Sequence, residues 1–122
     1  MPRASATAHE LSRVTLLGEL PGETLARLAK QMRREDVPAG AAPVAEGEEG
    51  DRFYVILSGI FAVSKRELGA RAVLRPGDYF GEVALTMDMP RTASVHALSP
   101  GVVASCDRET FDEFIRPLFA EG

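Results

Sequence analysis

The sequence predicts a mainly β domain with flanking helices, arranged as a jelly roll or a similar closed β architecture. Apolar residues recur at helical spacing near the start of the chain and again near its end. Between these two segments, short β-rich runs alternate with turns that contain proline or glycine. A chain of 122 residues has room for one domain with one modest core.

The first helix is predicted to begin near Pro21, because helices tolerate proline in their first turn. Its apolar stripe consists of Leu25, Leu28, Ala29 and Met32. Arg33 and Arg34 are expected on the wet face of the same helix. Residues 1–13 are predicted to be a flexible lead-in, and residues 14–122 to form the domain.

The β region begins after Asp36, where proline and glycine start to punctuate the chain. The run over 52–57 is predicted to be a strand, and Ser58-Gly59 a tight turn that reverses the chain, since glycine adopts positive φ at little cost. Further strands are predicted over 60–66, 71–74, 93–98 and 102–105. The aromatic residues expected in the core are Phe53, Tyr54, Phe61 and Phe80.

A second helix is predicted to close the chain. Asp107 is a suitable N-cap, because its carboxylate can accept from a free N–H group of the first turn. The apolar stripe of this helix consists of Phe111, Phe114, Ile115 and Leu118. Pro117 is expected to kink or end the helix.

Charge and composition argue against several classes of protein. The net charge is −4, and the basic pair Arg33-Arg34 is followed at once by acidic residues, so the basic stripe of a duplex nucleic-acid binder is missing. No apolar run is long enough to span a membrane, and the first residues lack the apolar segment of a signal peptide. We therefore expect a cytoplasmic location, with no direct nucleic-acid binding and no membrane insertion by this chain. The frequency of Ala, Arg and Gly suggests a bacterial source.

The sequence offers no constellation for catalysis or metal binding. Its two histidines, His9 and His96, lack the clustering with a carboxylate that a metal-dependent cupin needs. No Ser-His-Asp arrangement can be proposed from these residues either. The single Cys106 is expected to be a small buried side chain in a strand. We predict no enzyme activity, no metal and no cofactor.

The segment over 79–95 combines groups that suit a phosphorylated sugar. Gly81 stands before a short predicted helical turn, where free N–H groups can approach an anion closely. Pro90 fixes the chain before Arg91, whose planar fork of donors matches phosphate oxygens. Glu82 is a pure acceptor when ionised and can accept from a sugar hydroxyl.

The runs over 80–85 and 90–95 resemble the phosphate-binding cassette of the cyclic-nucleotide-binding domain family. Residues 47–59 resemble the glycine-punctuated hairpin of that family, and Leu20-Pro21 with 25–29 its opening helix. The resemblance implies a jelly-roll-like β-roll with N-terminal helices and a C-terminal helix. It also implies cAMP or cGMP as a ligand rather than a cofactor.

The resemblance assigns the ligand to one set of residues. These ligand-binding residues are Phe80, Gly81, Glu82, Val83, Ala84, Leu85, Arg91, Thr92 and Ala93. It implies that Arg91 pairs with the cyclic phosphate and that Glu82 accepts from the ribose 2′-hydroxyl. Gly81, Ala84 and Ala93 would supply backbone contacts. A hydroxyl at Thr92 can favour cGMP, yet cAMP binders also carry one, so the choice between the two nucleotides stays open with a preference for cAMP.

Several plainer interpretations stand beside these assignments. Arg91 could be a surface arginine paired with Asp88, and Glu82 could merely favour a helix N-terminus. Met87 and Met89 are expected to fill loop space rather than contact ligand. The aliphatic residues expected to face sugar and base while still counting as core are Val73, Val83, Leu85 and Val95.

The predicted function is a regulatory sensor domain that relays nucleotide occupancy to an output domain absent from this chain. We expect this effector to be fused to the domain or associated with it. The alternative is a degenerate member of the family that keeps the β-roll as a protein interaction module without ligand. The sequence leaves the oligomeric state open.

Overall fold

The computed structural model describes residues 5–120, which contain two antiparallel sheets and helical segments before, between and after their strands. The strands are β1 (Arg33–Val37), β2 (Arg52–Ser58), β3 (Phe61–Lys65), β4 (Gly69–Leu74), β5 (Tyr79–Phe80), β6 (Ser94–Ala97) and β7 (Gly101–Asp107). The helices are α1 (Ala8–Ser12), α2 (Gly22–Gln31), α3 (Glu82–Thr86) and a C-terminal helix α4, which runs through Arg108–Thr110, Phe111–Ile115 and Arg116–Ala120. A 3₁₀ turn (Thr15–Leu17) joins α1 to α2. The predicted class, mainly β with flanking helices, is confirmed.

One sheet has the strand order β1-β7-β2-β5 and the other the order β4-β3-β6. The alternation along β2 explains how the sheets and helices share one core. Phe53 and Val55 pack with the helices, whereas Tyr54 and Ile56 pack between the two sheets. Because both faces of β2 are covered, its sequence is a continuous apolar run instead of an alternating one. The four aromatic residues expected in the core are all buried.

Part of the predicted lead-in is packed structure. Thr7 caps α1 through a capping box, in which its hydroxyl accepts from the N–H of Glu10 while the Glu10 carboxylate accepts from the N–H of Thr7. Ala6 and Leu11 are buried in the core. The expectation of a flexible segment over 1–13 is therefore wrong for residues 5–13, and residues 1–4 lie outside the described part of the chain.

Arg33 and Arg34 do not belong to the first helix. The preceding α2 ends at Gln31, and Met32 has extended backbone geometry while its side chain completes the apolar stripe of the helix. Both arginines lie in β1, which pairs with β7 over its whole length. Strand pairing thus overrides the helical propensity of the arginines.

The Ser58-Gly59 turn joins two sheets instead of making a hairpin. β2 pairs with β5 and β7, whereas β3 pairs with β4 and β6, so the hairpin expected here is wrong. Gly59 has a φ of +87°, and a Cβ atom there would lie 2.6 Å from the Cα atom of Gly101. Glycine is therefore needed both for the backbone conformation and for the close approach of the β6–β7 connection.

The C-terminal helix begins as predicted, with the carboxylate of Asp107 accepting from the N–H of Thr110 at 2.9 Å. Pro117 does not end it, because helical geometry continues to Ala120. A π-helical turn over Phe111–Ile115 directly precedes this last segment. Cys106 is buried in β7, and burial raises its pKa to about 12. Among the described helices, none has both the length and the apolar character needed to cross a bilayer.

Candidate functional site

A pocket of about 220 Å³ opens beside the predicted cassette. Eight of the nine predicted ligand-binding residues line it: Phe80, Gly81, Glu82, Val83, Ala84, Arg91, Thr92 and Ala93. The rest of its wall is mostly aliphatic and includes Val44, Val63, Leu74, Tyr79 and Val95. Only Val95 of this second group was anticipated. Val44, Val63 and Leu74 come from loops and strands outside the segment 79–95, and Tyr79 lies at its start but was given no ligand role.

The chain enters the pocket at Gly81. Its φ of +93° is a conformation that only glycine adopts at little cost, and it places the start of α3 directly after β5. Glu82 is the first residue of α3 and is half-buried in the pocket wall. The short helix thus contributes Glu82, Val83 and Ala84 to the wall of the pocket.

Arg91 is buried, with only 8% of its surface exposed. Its Nη1 donates to the carbonyl oxygen of Gly81, and its Nη2 donates to the carbonyl oxygen of Arg52, both at 2.8 Å. Within residues 5–120, no carboxylate lies within 4.0 Å of the guanidinium, and Asp88 pairs with Arg108 instead. The interpretation of Arg91 as a surface arginine paired with Asp88 is therefore wrong.

The electrostatics of Arg91 suit an anionic ligand. Burial lowers the pKa of the guanidinium, while Tyr54, Asp51 and Glu82 act in the opposite direction. Arginine stays protonated in proteins, so the site holds a positive charge whose only described acceptors are neutral carbonyl oxygens. A buried charge without a counter-ion is costly. An anion in the pocket would supply the missing partner and use the remaining N–H donors.

The loop over 47–50 packs behind this arginine. The backbone N–H of Arg91 donates to the carbonyl oxygen of Glu48, and the N–H of Gly47 donates to the carbonyl oxygen of Arg91, each at 2.8 Å. A Cβ atom at Gly50 would lie 2.5 Å from Cζ of Arg91 and 2.7 Å from Cβ of Ala84. The two glycines of this loop, Gly47 and Gly50, are a sequence signal that could have indicated this close approach.

Four residues lie elsewhere than predicted. Leu85 does not line the pocket, because its side chain is fully buried in the core on the opposite side of α3. Val73 is 48% exposed on β4 and does not line the pocket either. Met87 and Met89 do not line the pocket, in agreement with the prediction that they are not ligand contacts, but they are 66% and 41% exposed and so do not fill a gap in the loop.

The histidines are not brought together. His9 is exposed on α1, and His96 is half-buried in β6. Over residues 5–120, no group of three His, Cys, Asp or Glu side chains is placed to hold a metal ion.

Comparison with known proteins assigns the family. The model of the cyclic nucleotide-binding domain matches residues 34–117 of this chain. The chain belongs to the cyclic-nucleotide-binding domain family. The matched range begins one residue inside β1 and includes all the later strands, the pocket and most of α4.

The relatives of this domain include regulatory proteins. A cAMP-dependent protein kinase regulatory subunit of Yarrowia lipolytica is 39% identical over 109 residues, which cover 88% of this chain and 29% of the relative. A cGMP-dependent protein kinase, egl-4 of Caenorhabditis briggsae, is 36% identical over 124 residues, covering 97% of this chain and 17% of the kinase. The chain therefore spans less than a third of these curated relatives, and their eukaryotic origin does not support a bacterial source.

A solved structure of cAMP-bound PfPKA-R superimposes with a TM-score of 0.86 at 30% sequence identity. The match covers 91% of this chain and 39% of that structure. The predicted β-roll with N-terminal helices and a C-terminal helix is confirmed.

Proposed function

We propose that this domain is a cyclic-nucleotide sensor that binds cAMP or cGMP in the pocket beside α3. The observation that carries the proposal is Arg91, a buried cation in the pocket wall with no described carboxylate partner. A singly charged cyclic phosphate matches its free donors, and the planar fork can engage two phosphate oxygens at once. The related PfPKA-R structure holds cAMP, which supports this class of ligand.

The pocket suggests a role for each polar group. Arg91 pairs with the cyclic phosphate, and the carboxylate of Glu82 accepts from the ribose 2′-hydroxyl. Backbone groups of Gly81, Ala84 and Ala93 contact the ribose and phosphate. The aliphatic wall formed by Val44, Val63, Leu74 and Val95 offers apolar surface to the base.

We propose cAMP as the preferred nucleotide. Thr92 lines the pocket, and its hydroxyl oxygen can accept a hydrogen bond from the amino group of a guanine base. Titrations of both nucleotides under the same conditions decide between them. Tighter binding of cGMP would assign the preference to Thr92, and Thr92→Val would then reduce the affinity for cGMP more than that for cAMP.

Ligand occupancy is proposed to reach an effector domain, fused or associated, through α4. The carbonyl oxygen of Leu85, near the end of α3, accepts from Nη2 of Arg116 at 2.8 Å. Nη1 of Arg108 lies 3.4 Å from the same oxygen. If α3 and α4 move together between two arrangements, a ligand that binds one arrangement more tightly shifts the equilibrium toward it. The size of the shift is set by the difference in affinity between the two arrangements. Identical hydrogen-exchange protection of α4 with and without saturating nucleotide would contradict the relay.

A thermal-shift experiment tests the binding function itself. Melting curves are recorded with cAMP, with cGMP and with 5′-AMP, whose phosphate is not closed onto the ribose. Ligand at 100 times its dissociation constant stabilises the folded state by about 2.7 kcal/mol, so a cyclic nucleotide should raise the melting temperature visibly. No shift with either cyclic nucleotide would favour the alternative, a degenerate interaction module.

A further inference from the structure

A polar network links the phosphate-facing Arg91 to three neighbouring strands of one sheet. Arg52 is the first residue of β2, and its Nε donates to Oγ of Ser105 on β7 at 3.0 Å. Its Nη2 donates to the backbone carbonyl oxygen of Ser105 at 3.1 Å. Ser105 pairs in register with Tyr54, so the arginine reaches its diagonal neighbour across the strands.

Ser105 is fully buried and uses its hydroxyl in both directions. It accepts from Arg52 and donates to Oε2 of Glu35 at 2.8 Å. Glu35 lies on β1, the strand on the other side of β7. The side chain of Arg52 is therefore held by a hydroxyl and a carbonyl that are themselves fixed in the sheet.

The same residue supports Arg91 through its backbone. The carbonyl oxygen of Arg52 accepts from Nη2 of Arg91 at 2.8 Å, and the carbonyl oxygen of Gly81 accepts from Nη1 at the same distance. Two acceptors on two nitrogen atoms fix the plane of a guanidinium. The direction in which the remaining donors of Arg91 point thus depends on where the backbone of Arg52 lies.

We propose that Glu35, Ser105 and Arg52 form a positioning network for Arg91. This inference rests on the proposed nucleotide binding, and it extends the positioning of Arg91 to three residues outside the cassette. None of them touches the pocket. They act by holding the Arg52 carbonyl, so that Arg91 is oriented before the anion arrives. Pre-orientation of this kind raises affinity because less freedom is lost on binding.

The first variant is Ser105→Ala in the full chain, titrated with cAMP and cGMP by calorimetry. Loss of the hydroxyl frees Nε of Arg52 and leaves the Glu35 carboxylate with Nη2 of Arg33 at 3.4 Å. We expect about 5-fold weaker nucleotide binding, the effect of about one hydrogen bond. Arg52→Met keeps an unbranched apolar stem and removes the guanidinium donors, and because Arg52 is only half-buried it serves if Ser105→Ala fails to fold. Ser99→Ala is the matched control. Ser99 lies in the connection between β6 and β7, and its hydroxyl accepts from the N–H of Ile60 instead of bonding to Arg52.

A double-mutant cycle with Arg91→Lys separates positioning from general destabilisation. Lysine lacks the planar guanidinium that the Arg52 carbonyl orients. When Ser105→Ala is added to Arg91→Lys, the further loss of affinity should therefore be smaller than about 2-fold. An equal loss of affinity in both backgrounds would show that the network acts independently of Arg91 and would overturn the proposal. A wild-type chain that binds neither nucleotide would instead overturn the proposed function, and the positioning role with it.

Discussion

Nη1 of Arg91 donates a hydrogen bond to the carbonyl oxygen of Gly81 at a distance of 2.8 Å. Gly81 has positive φ, and a Cβ atom at this residue would lie 3.0 Å from Nη1 of Arg91 and 3.0 Å from the carbonyl oxygen of Arg52. Because Gly81 has no side chain, the backbone at the start of α3 can approach the guanidinium of Arg91. The backbone between β5 and α3 and the charge of Arg91 are thus parts of one arrangement.

Gly81→Ala should weaken nucleotide binding about 10-fold and lower the free energy of unfolding by about 1–2 kcal/mol, because alanine is strained at positive φ and its Cβ presses on Arg91. Gly69→Ala is the matched control, since Gly69 has a φ of +68° and no heavy atom lies within 4 Å of its added Cβ. Titration calorimetry and urea unfolding measure the two effects. Equal affinities of the two variants would contradict the role of Gly81 beside Arg91.

Gly59→Ala should destabilise the fold by about 3 kcal/mol or more, because backbone strain adds to a contact of 2.6 Å with the Cα atom of Gly101. Gly40→Ala has a similar φ of +88° and open space around its Cβ, so it should lose only about 1–2 kcal/mol. Urea unfolding of both variants isolates the steric part of the effect. If the two midpoints coincide, the close approach at Gly59 is unimportant.

Leu85→Ala should reduce mainly the stability and Val83→Ala mainly the affinity for nucleotide, although the two residues are only two positions apart on α3. Leu85 is fully buried, and its truncation should lower the free energy of unfolding by about 2–5 kcal/mol while affinity changes little. Val83 is 37% exposed and lines the pocket, so its truncation should weaken binding at little loss of stability. The same pair of measurements, calorimetry and unfolding, applies to both. A large loss of affinity in a folded Leu85→Ala chain would restore Leu85 as a ligand contact.

Asp107→Ala should lower the free energy of unfolding by about 1 kcal/mol at pH 7, because it removes the N-cap of α4. The N–H of Thr110 holds the pKa of Asp107 below its ordinary value of 3.8. The stabilisation by the carboxylate is therefore fully present above that ordinary value and is lost as pH falls through the lowered folded value. Unfolding of wild type and variant at pH 7, 5 and 3 should show the gap closing at the acid end. A gap that stays constant would argue against the ionised cap.

Most of the candidate site could be predicted from motifs that are local in the sequence. Gly81, Glu82 and Arg91 stand within one short segment, so their chemistry could be inferred from residue types and spacing. The side of α3 that Leu85 faces could not, because a helix of five residues gives too few apolar positions to define a stripe. The Thr7–Glu10 capping box was a readable signal for α1, but the helix is as short and has no periodic pattern of its own.

Contacts between residues far apart in the chain could not be predicted from the sequence. Ser105 and Glu35 are 70 residues apart, and they meet only because β1 and β7 are neighbours in the sheet. The apolar run of β2 indicated a buried strand correctly. It carried no information on which strands pair with it, so the change of sheet at Gly59 looked like a hairpin turn.

The central claim is that Arg91 holds the cyclic phosphate, and calorimetric titration of Arg91→Ala with cAMP beside the wild type tests it most directly. Arg75→Ala, which changes an exposed arginine in the turn before β5, controls for loss of charge. We predict that Arg91→Ala weakens binding by about 2–5 kcal/mol, more than the roughly 1.5–3 kcal/mol expected for Glu82→Ala, and that Arg75→Ala binds like the wild type. Equal affinity of the wild type and a folded Arg91→Ala chain would contradict the account.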